Sequence, residues 1–257
     1  MEDQDKLLRA RLADKAFEAQ RTYDIAFLGF LTPAACIEAE EALSGLDVEF
    51  CFLGGYEDVE RRMVFVKPEG DYVSFEGAEE RAMSAVRFAS FAEGRTLSHR
   101  DYLGSLIGAG LKREAIGDIL PYSDGKMQYC DVILLKSTVQ DVLRSVDRIG
   151  RTGVKCTEIA LKSLHIPVKA FREINDTVAS LRLDAVLASG FSLSRSETKA
   201  AIEKGLAMKN DRVVLNPDST VAEGDALSMR GHGKMILAEI GGESKKQRIR
   251  IRIKKYI

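Results

Sequence analysis

Residues that build metal centres and disulfide frameworks are scarce in this sequence. Its four cysteines, Cys36, Cys51, Cys130 and Cys156, form no C-x-x-C pair, and its three histidines, His99, His165 and His232, have no Cys or His partner at ligand spacing. Such isolation argues against a disulfide scaffold or zinc site, so neither a metal nor a cofactor is expected. No stretch approaches the roughly 18 consecutive apolar residues of a membrane span. The first twenty residues are charged and acidic, where a secretory signal places a basic segment and an apolar run. A cytoplasmic chain with no membrane partner is expected. No strand followed by G-x-G-x-x-G opens a helix, which argues against a methyltransferase.

What is present suits a folded chain: of 257 residues, 45% are hydrophobic and 30% charged, too apolar for a disordered tail. That length allows about one to three domains. The formal net charge of −1 hides an asymmetry, because residues 1–60 hold fourteen acidic and five basic side chains and the remainder carries +8. The end of the chain, GGESKKQRIRIRIKKYI, sets Lys245, Lys246, Arg248, Arg250, Arg252, Lys254 and Lys255 against Glu243 alone. A run of this kind seeks phosphate. Arg248, Arg250 and Arg252 alternate with Ile249, Ile251 and Ile253 at the period of a strand, giving one basic and one apolar face; the plainer alternative is a solvated tail.

Helical spacing of Leu8, Leu12, Ala16 and Ala19 predicts a first amphipathic helix over Asp5–Arg21. Thr32 before Pro33 predicts a capped helix running to Leu43, and Val48–Leu53 reads as a strand. Together they form an acidic α/β unit over residues 1–77. Residues 78–165 then read as strand 85–89, helix 98–109, strand 118–122, an Asp124-Gly125 turn, strand 126–132, helix 137–149 and strand 153–159. That order is the ferredoxin-like βαββαβ arrangement. RNA-binding domains share this topology with unrelated enzymes, and only Tyr122 and Tyr129 are available on its central strands to stack bases, so the RRM signature is absent. His99, Arg100, Lys112 and Arg113 come near one turn and form a possible second RNA contact, with a plain surface loop relieved by Gly108 and Gly110 as the alternative.

Residues 166–179 read as a connector interrupted by Pro167, and a third domain is expected over 180–257. There Leu183, Val186 and Leu187 give a short helix an apolar face, with Gly190 as its left-handed cap. Ser194-Arg195-Ser196-Glu197 is a capping box that starts a second helix, placing Arg195 and Lys199 on one face; Gly205 ends it. Val213–Val214 and Ala226–Met229 read as strands joined by Asn216-Pro217 and Gly224-Asp225 turns. Two helix starts carrying cations and free first-turn amides suit phosphate oxygens. Arg182, Arg195, Lys199, Arg230 and Lys234 are the candidate phosphate contacts, supported by Ser194 and Ser196, with Lys209 and His232 in the same segment.

Arg182-Leu183-Asp184, Ser194-Arg195, Gly205, Gly224-Asp225 and Arg230-Gly231-x-Gly233 resemble the RNA-binding module named after ribosomal protein S-four. Lys209-Asn210-Asp211 departs from its common Val-Asn-Gly. Further upstream, Gly54-Gly55-Tyr56, Glu60-Arg61, His99-Arg100-Asp101-Tyr102-Leu103-Gly104-Ser105-Leu106 and Gly110-Leu111-Lys112-Arg113-Glu114-x-Ile116-Gly117-Asp118-Ile119 resemble the bacterial YlmH family. The combined resemblance implies an α+β, multidomain fold with a C-terminal S-four-type (αL) domain. It also implies a cytoplasmic bacterial protein that binds large-subunit ribosomal RNA and tRNA, alongside ribosome-rescue proteins, during C-terminal tailing of stalled nascent chains. A link to cell division is discussed for the family. The protein is expected to act as a monomer and without catalysis.

Two other classes compete. Residues 182–190 partly match the R-L-D-x-x-T-S-G signature of pseudouridine synthases, but Leu187 and Ala188 replace the Thr-Ser pair and too little chain follows for that catalytic domain. Asp184 is more simply a helix residue pairing with nearby cations. Nucleotide-binding motifs of a tyrosyl-tRNA synthetase are missing. The other class is a division-linked scaffold docking through the acidic N-terminal region.

Overall fold

Apolar spacing at the N-terminus folds into the helix Glu2–Thr22, which buries Leu12, Ala16 and Ala19. A second helix, Pro33–Leu43, begins at Thr32, whose Oγ1 accepts from the Ala35 N–H at 3.2 Å. Both helices lie against a three-stranded antiparallel sheet in which Arg62–Pro68 is central, between Ala26–Leu31 and Val48–Leu53. The central strand had no alternating signature because it is buried on both faces from Met63 to Lys67. Val64 and Val66 face the helices, while Met63 and Phe65 join a second core with Phe30, Ala78, Ala82, Met83 and Ile133.

The computed structural model describes residues 2–70, 73–91, 96–168, 170–244 and 246–257. Its mixed α and β elements are consistent with the α+β class and divide into two compact units, Met1–Pro167 and Val168–Ile257. Lys245 of the basic run, and positions 71 and 72 within the 1–77 boundary region, lie outside the described residues.

The rest of the first unit follows the order strand Met83–Phe91, helix His99–Gly108, strands Ile116–Ser123 and Met127–Leu135, helix Lys136–Ser145, strand Lys155–Ile159. Its sheet is antiparallel throughout, in the spatial order Ile116–Ser123, Met127–Leu135, Met83–Phe91, Lys155–Ile159. Gly125 closes the expected hairpin at φ +88°, and Asp124 Oδ1 accepts from the Lys126 and Met127 N–H groups. One sheet face buries Val86, Phe88, Cys130 and Val132 against Tyr102, Leu106, Val139 and Val142 of the two helices. The second helix stops at Ser145 rather than Ile149. Val146 is already extended, and Arg148–Ile149 pairs with Thr152–Gly153 around Gly150 at φ +59°. The last strand accordingly starts at Lys155 rather than Gly153.

In the second unit the helices Leu183–Phe191 and Arg195–Glu203 pack on a six-stranded sheet. The expected connector over 166–179 is corrected: Phe171–Val178 is an edge strand paired antiparallel with Ile249–Tyr256, from Phe171 opposite Tyr256 to Val178 opposite Ile249. Its exposed Arg172, Glu173, Asn175 and Asp176 hid the pattern. Ile249–Tyr256 is the strand that the alternation predicts, with Ile251 and Ile253 buried. It pairs on its other side with Gly233–Glu243, a strand absent from the sequence reading, and Ala226–Met229, Ala207–Lys209 and Arg212–Val213 complete the sheet. Arg212–Val213 lies one residue earlier than Val213–Val214. Gly190 is also corrected: it is inside the helix, where a Cβ would lie 2.1 Å from Met235 Sδ, and Ser192 at φ 55° supplies the left-handed cap. Close helix–sheet packing, rather than a turn, requires that glycine.

Candidate nucleic-acid interface

Two helix starts in the second unit bring together Arg182, Arg195 and Lys199 of the cations singled out in the sequence. Arg182 caps Leu183–Phe191, and Arg195 opens Arg195–Glu203. Between them lies Asp184, only 3% exposed. It accepts from Arg182 Nε and Nη2, both at 3.1 Å, and from Arg195 Nη2 at 2.7 Å. Burial pushes this carboxyl up, but the hydrogen bonds and charges of the two arginines outweigh burial and hold it below the usual carboxylate range. Asp184 therefore pairs with cations, as the sequence suggested. Arg182 also pairs with Asp218, whereas Arg195 keeps 57% of its side-chain surface exposed. A buried carboxylate that fixes two guanidinium planes lowers the entropy lost when an outer donor meets a phosphate.

Ser194 caps the second helix. Its Oγ accepts from the Glu197 N–H at 3.2 Å while Glu197 Oε2 accepts from the Ser194 N–H at 2.9 Å, and Ser196 Oγ lies 3.0 Å from Ser194 Oγ. Lys199 is half-exposed, 3.8 Å from Glu203. Exposed His232 lies beside this group, its ring 5.9 Å from that of Phe191, over which Lys255 sets its ammonium at 4.9 Å. Arg230 is exposed at the adjoining turn. The first-turn amides of Leu183–Phe191 are not free, a correction to the sequence reading. Leu183 and Asp184 donate to the carbonyls of Ser219 and Pro217, because the 216–220 loop folds back over the helix start.

Lys209 and Lys234 are held elsewhere. Lys209 donates to the Thr220 carbonyl at 2.8 Å and sits 3.1 Å from Asp225, and Lys234 lies 3.5 Å from Asp211. The Asn210-Asp211 turn departs from Asn-Gly yet keeps both residues left-handed, at φ 50° and 61°. Of the basic terminal strand, Arg252 is drawn to Glu239 and Glu173, and Arg248 to Thr177.

In the first unit, His99 and Arg100 are exposed in the first turn of His99–Gly108, and Lys112 is exposed before a 3-10 turn, Arg113–Ala115. Arg113 turns inward, donating to the Ile116 carbonyl at 2.8 Å. It borders a network that the sequence motifs carried but did not explain. Buried Asp118 accepts from Tyr56 Oη at 2.6 Å and from the Glu60 and Arg61 N–H groups at 2.9 Å. Arg61 donates to the carbonyls of Ile116, Phe30 and Arg113, and burial, then the Arg113 charge, lower its pKa to about 10. The Gly-Gly-Tyr, Glu-Arg and Gly-Asp motifs thus clamp the three-stranded sheet to the four-stranded one. Tyr122 and Tyr129 are stacked on the latter, joined by His165, which the sequence reading left unassigned.

Among the described residues no group of three or more His, Cys, Asp or Glu side chains is placed to hold a metal ion, and no helix is long and apolar enough to cross a membrane.

Residues 83–163 match a family described as "Putative RNA-binding domain in YlmH". The chain is 35% identical over 243 residues to the "Ribosome-associated protein quality control protein P2" of Bacillus subtilis (strain 168), covering 93% of this chain and 91% of that protein. Among solved structures, "Cell division protein ylmH from Streptococcus pneumoniae" superposes with a TM-score of 0.50 at 17% identity, covering 64% of this chain and 95% of the other, a likeness of fold alone.

Proposed function

This chain belongs to the YlmH family, and from that premise we propose that it is a non-catalytic, cytoplasmic RNA-binding protein of the large ribosomal subunit. Its role is in quality control of stalled nascent chains, where it contacts ribosomal RNA and tRNA. Support comes from the quality-control name of the Bacillus subtilis relative and from the RNA-binding description of the family that matches residues 83–163. In this reading the four-stranded sheet with its two helices is a ferredoxin-like domain, and the second unit is an S-four-type module extended by the strands Phe171–Val178 and Ile249–Tyr256.

One geometric observation carries the reading: Arg182 and Arg195 converge on buried Asp184 at two adjacent helix starts, with exposed His232 and Lys199 beside them. Such a patch holds guanidinium groups ready for the backbone of a structured RNA. The test is co-sedimentation of the purified chain with large ribosomal subunits, empty or carrying peptidyl-tRNA, at low and moderate salt. Binding that falls with salt and favours the tRNA-loaded subunits is expected, because each neutralised phosphate releases counterions. Absence of binding to either form overturns the reading.

A further inference from the structure

The four-stranded sheet of the first unit covers one face with helices; the other packs Met83 and Ile133 into the second core and, toward the 124–125 hairpin, carries rings and cations. Tyr122 and Tyr129 stand directly opposite one another in the register, their rings stacked at 5.2 Å and 18°. The His165 ring stacks on Tyr122 at 4.0 Å and 26°, making a row of three. That row is pinned from beneath. Asp131 is wholly buried and accepts from Arg87 Nε at 2.7 Å, from Arg87 Nη2 at 2.6 Å and from the His165 N–H at 2.8 Å. The Arg87 guanidinium, also bonded to the Ser163 carbonyl, lies 5.7 Å from the Tyr122 ring centre. Across the sheet from Tyr129 come Ala89 and then exposed Lys155, so a small residue separates the ring from a cation.

We propose that this face is a stacking platform for unpaired bases of single-stranded RNA, with Tyr129 as the ring that meets a base and Lys155 as a phosphate contact. The proposal rests on the RNA-binding function above and gives it a second, chemically different site. Three points favour this occupant. Half-buried tyrosine rings grouped at a sheet surface and fixed by a buried ion pair present rigid apolar faces with polar edges, the make-up of a recognition surface. Unstacked bases are the partner that flat, polar-edged rings fit, and single-stranded RNA presents them. Charge also favours this occupant: Lys155 and Lys126, the latter at the hairpin tip, outnumber Asp124, whose Oδ1 accepts from its own turn and whose Oδ2 accepts from Tyr129 Oη at 3.5 Å, while Asp131 is paired with Arg87.

The test is fluorescence anisotropy of the full chain with a short labelled single-stranded oligoadenylate and with an RNA duplex of matched length, alongside the large-subunit co-sedimentation. The chain has no tryptophan, so tyrosine dominates its emission, and the quenching by the oligonucleotide that is lost in Tyr129→Ala reports stacking on that ring. The single strand should bind more tightly than the duplex and quench tyrosine. Tyr129→Ala should weaken it by about five- to one hundred-fold, and Tyr129→Phe, which keeps the ring, by less than about two-fold. Lys155→Gln, at an exposed site that carries no fold, should lower the salt slope by about one unit. Equal affinity of Tyr129→Ala and the natural chain overturns the proposal, as does a loss in Tyr129→Phe equal to that in Tyr129→Ala. If the chain sediments with large subunits but ignores the single strand, this inference fails and the proposed function stands. Binding to neither means that both fail. Loss of a protein partner in Tyr129→Ala with single-strand affinity intact assigns the face to that protein and also overturns the proposal.

Discussion

Asp184 shows how one side chain couples stability to the candidate interface. Its pKa is lower in the folded chain than the ordinary value of about 3.9. The folded state therefore binds its proton less readily than the unfolded state. The stability it contributes is present above about pH 4 and is lost as pH falls through the lower folded value. Asp184→Asn should be less stable at neutral pH and should show a flatter acid limb, read as denaturant midpoint against pH; an unchanged profile removes Asp184 from the cluster's energetics. Asp211 makes the opposite kind of prediction. It occupies a left-handed position at φ 61°, and its side chain gains only a 3.5 Å contact with Lys234. Asp211→Gly should raise stability by about 0.5–1 kcal/mol by relieving the backbone, measured by chemical denaturation.

Among the elements, the glycines divide by what surrounds them. Gly29, in the strand Ala26–Leu31, faces the backbone of the 3-10 turn Arg113–Ala115, and a Cβ there would lie 2.5 Å from the Glu114 carbonyl oxygen. A backbone atom cannot swing aside, so Gly29→Ala should cost about 1–3 kcal/mol. Gly108 ends the helix His99–Gly108 with open space around it, whereas Gly110 turns left-handed at φ +94°. Gly108→Ala should stabilise by about 0.5–1 kcal/mol and Gly110→Ala should destabilise by about 1 kcal/mol. Thermal unfolding of the pair tests this, and equal effects would mean that the helix end is misplaced. Most elements with period and caps were legible in the sequence: Thr32, Ser98 and Ser194 each mark a true helix start. Strands buried on two faces, such as Arg62–Pro68, and the polar edge strand Phe171–Val178 were not, because neither has the alternation of a half-buried strand.

For the whole molecule, the net charge of −1 says little about partners, since the first sixty residues carry −9 and the rest +8. What governs binding is where cations are concentrated and how carboxylates hold them. Replacing Arg195 and Lys199 together by Ala should weaken the proposed large-subunit binding by about 1–3 kcal/mol and lower its salt slope by about two units. Sedimentation over a salt series measures both, and an unchanged slope excludes the two side chains from the RNA contact.

The sequence by itself determined the helix starts, the βαββαβ order of residues 83–159, the alternating strand at the C-terminus and the family, because caps, periods and motifs are local and can be read from short windows of chain. Tertiary structure alone decided which of those residues are free to bind. Arg113 and Lys209 carry the same charge in the sequence as Arg195, yet Arg113 is spent on the Ile116 carbonyl and Lys209 on Thr220 and Asp225, whereas Arg195 keeps an exposed edge. It also made Tyr56, Arg61 and Asp118 one clamp, and set Tyr122, Tyr129 and His165 in one row. These groupings join residues up to 62 positions apart. Only burial and strand register bring such side chains together, and neither is written in any single stretch of sequence.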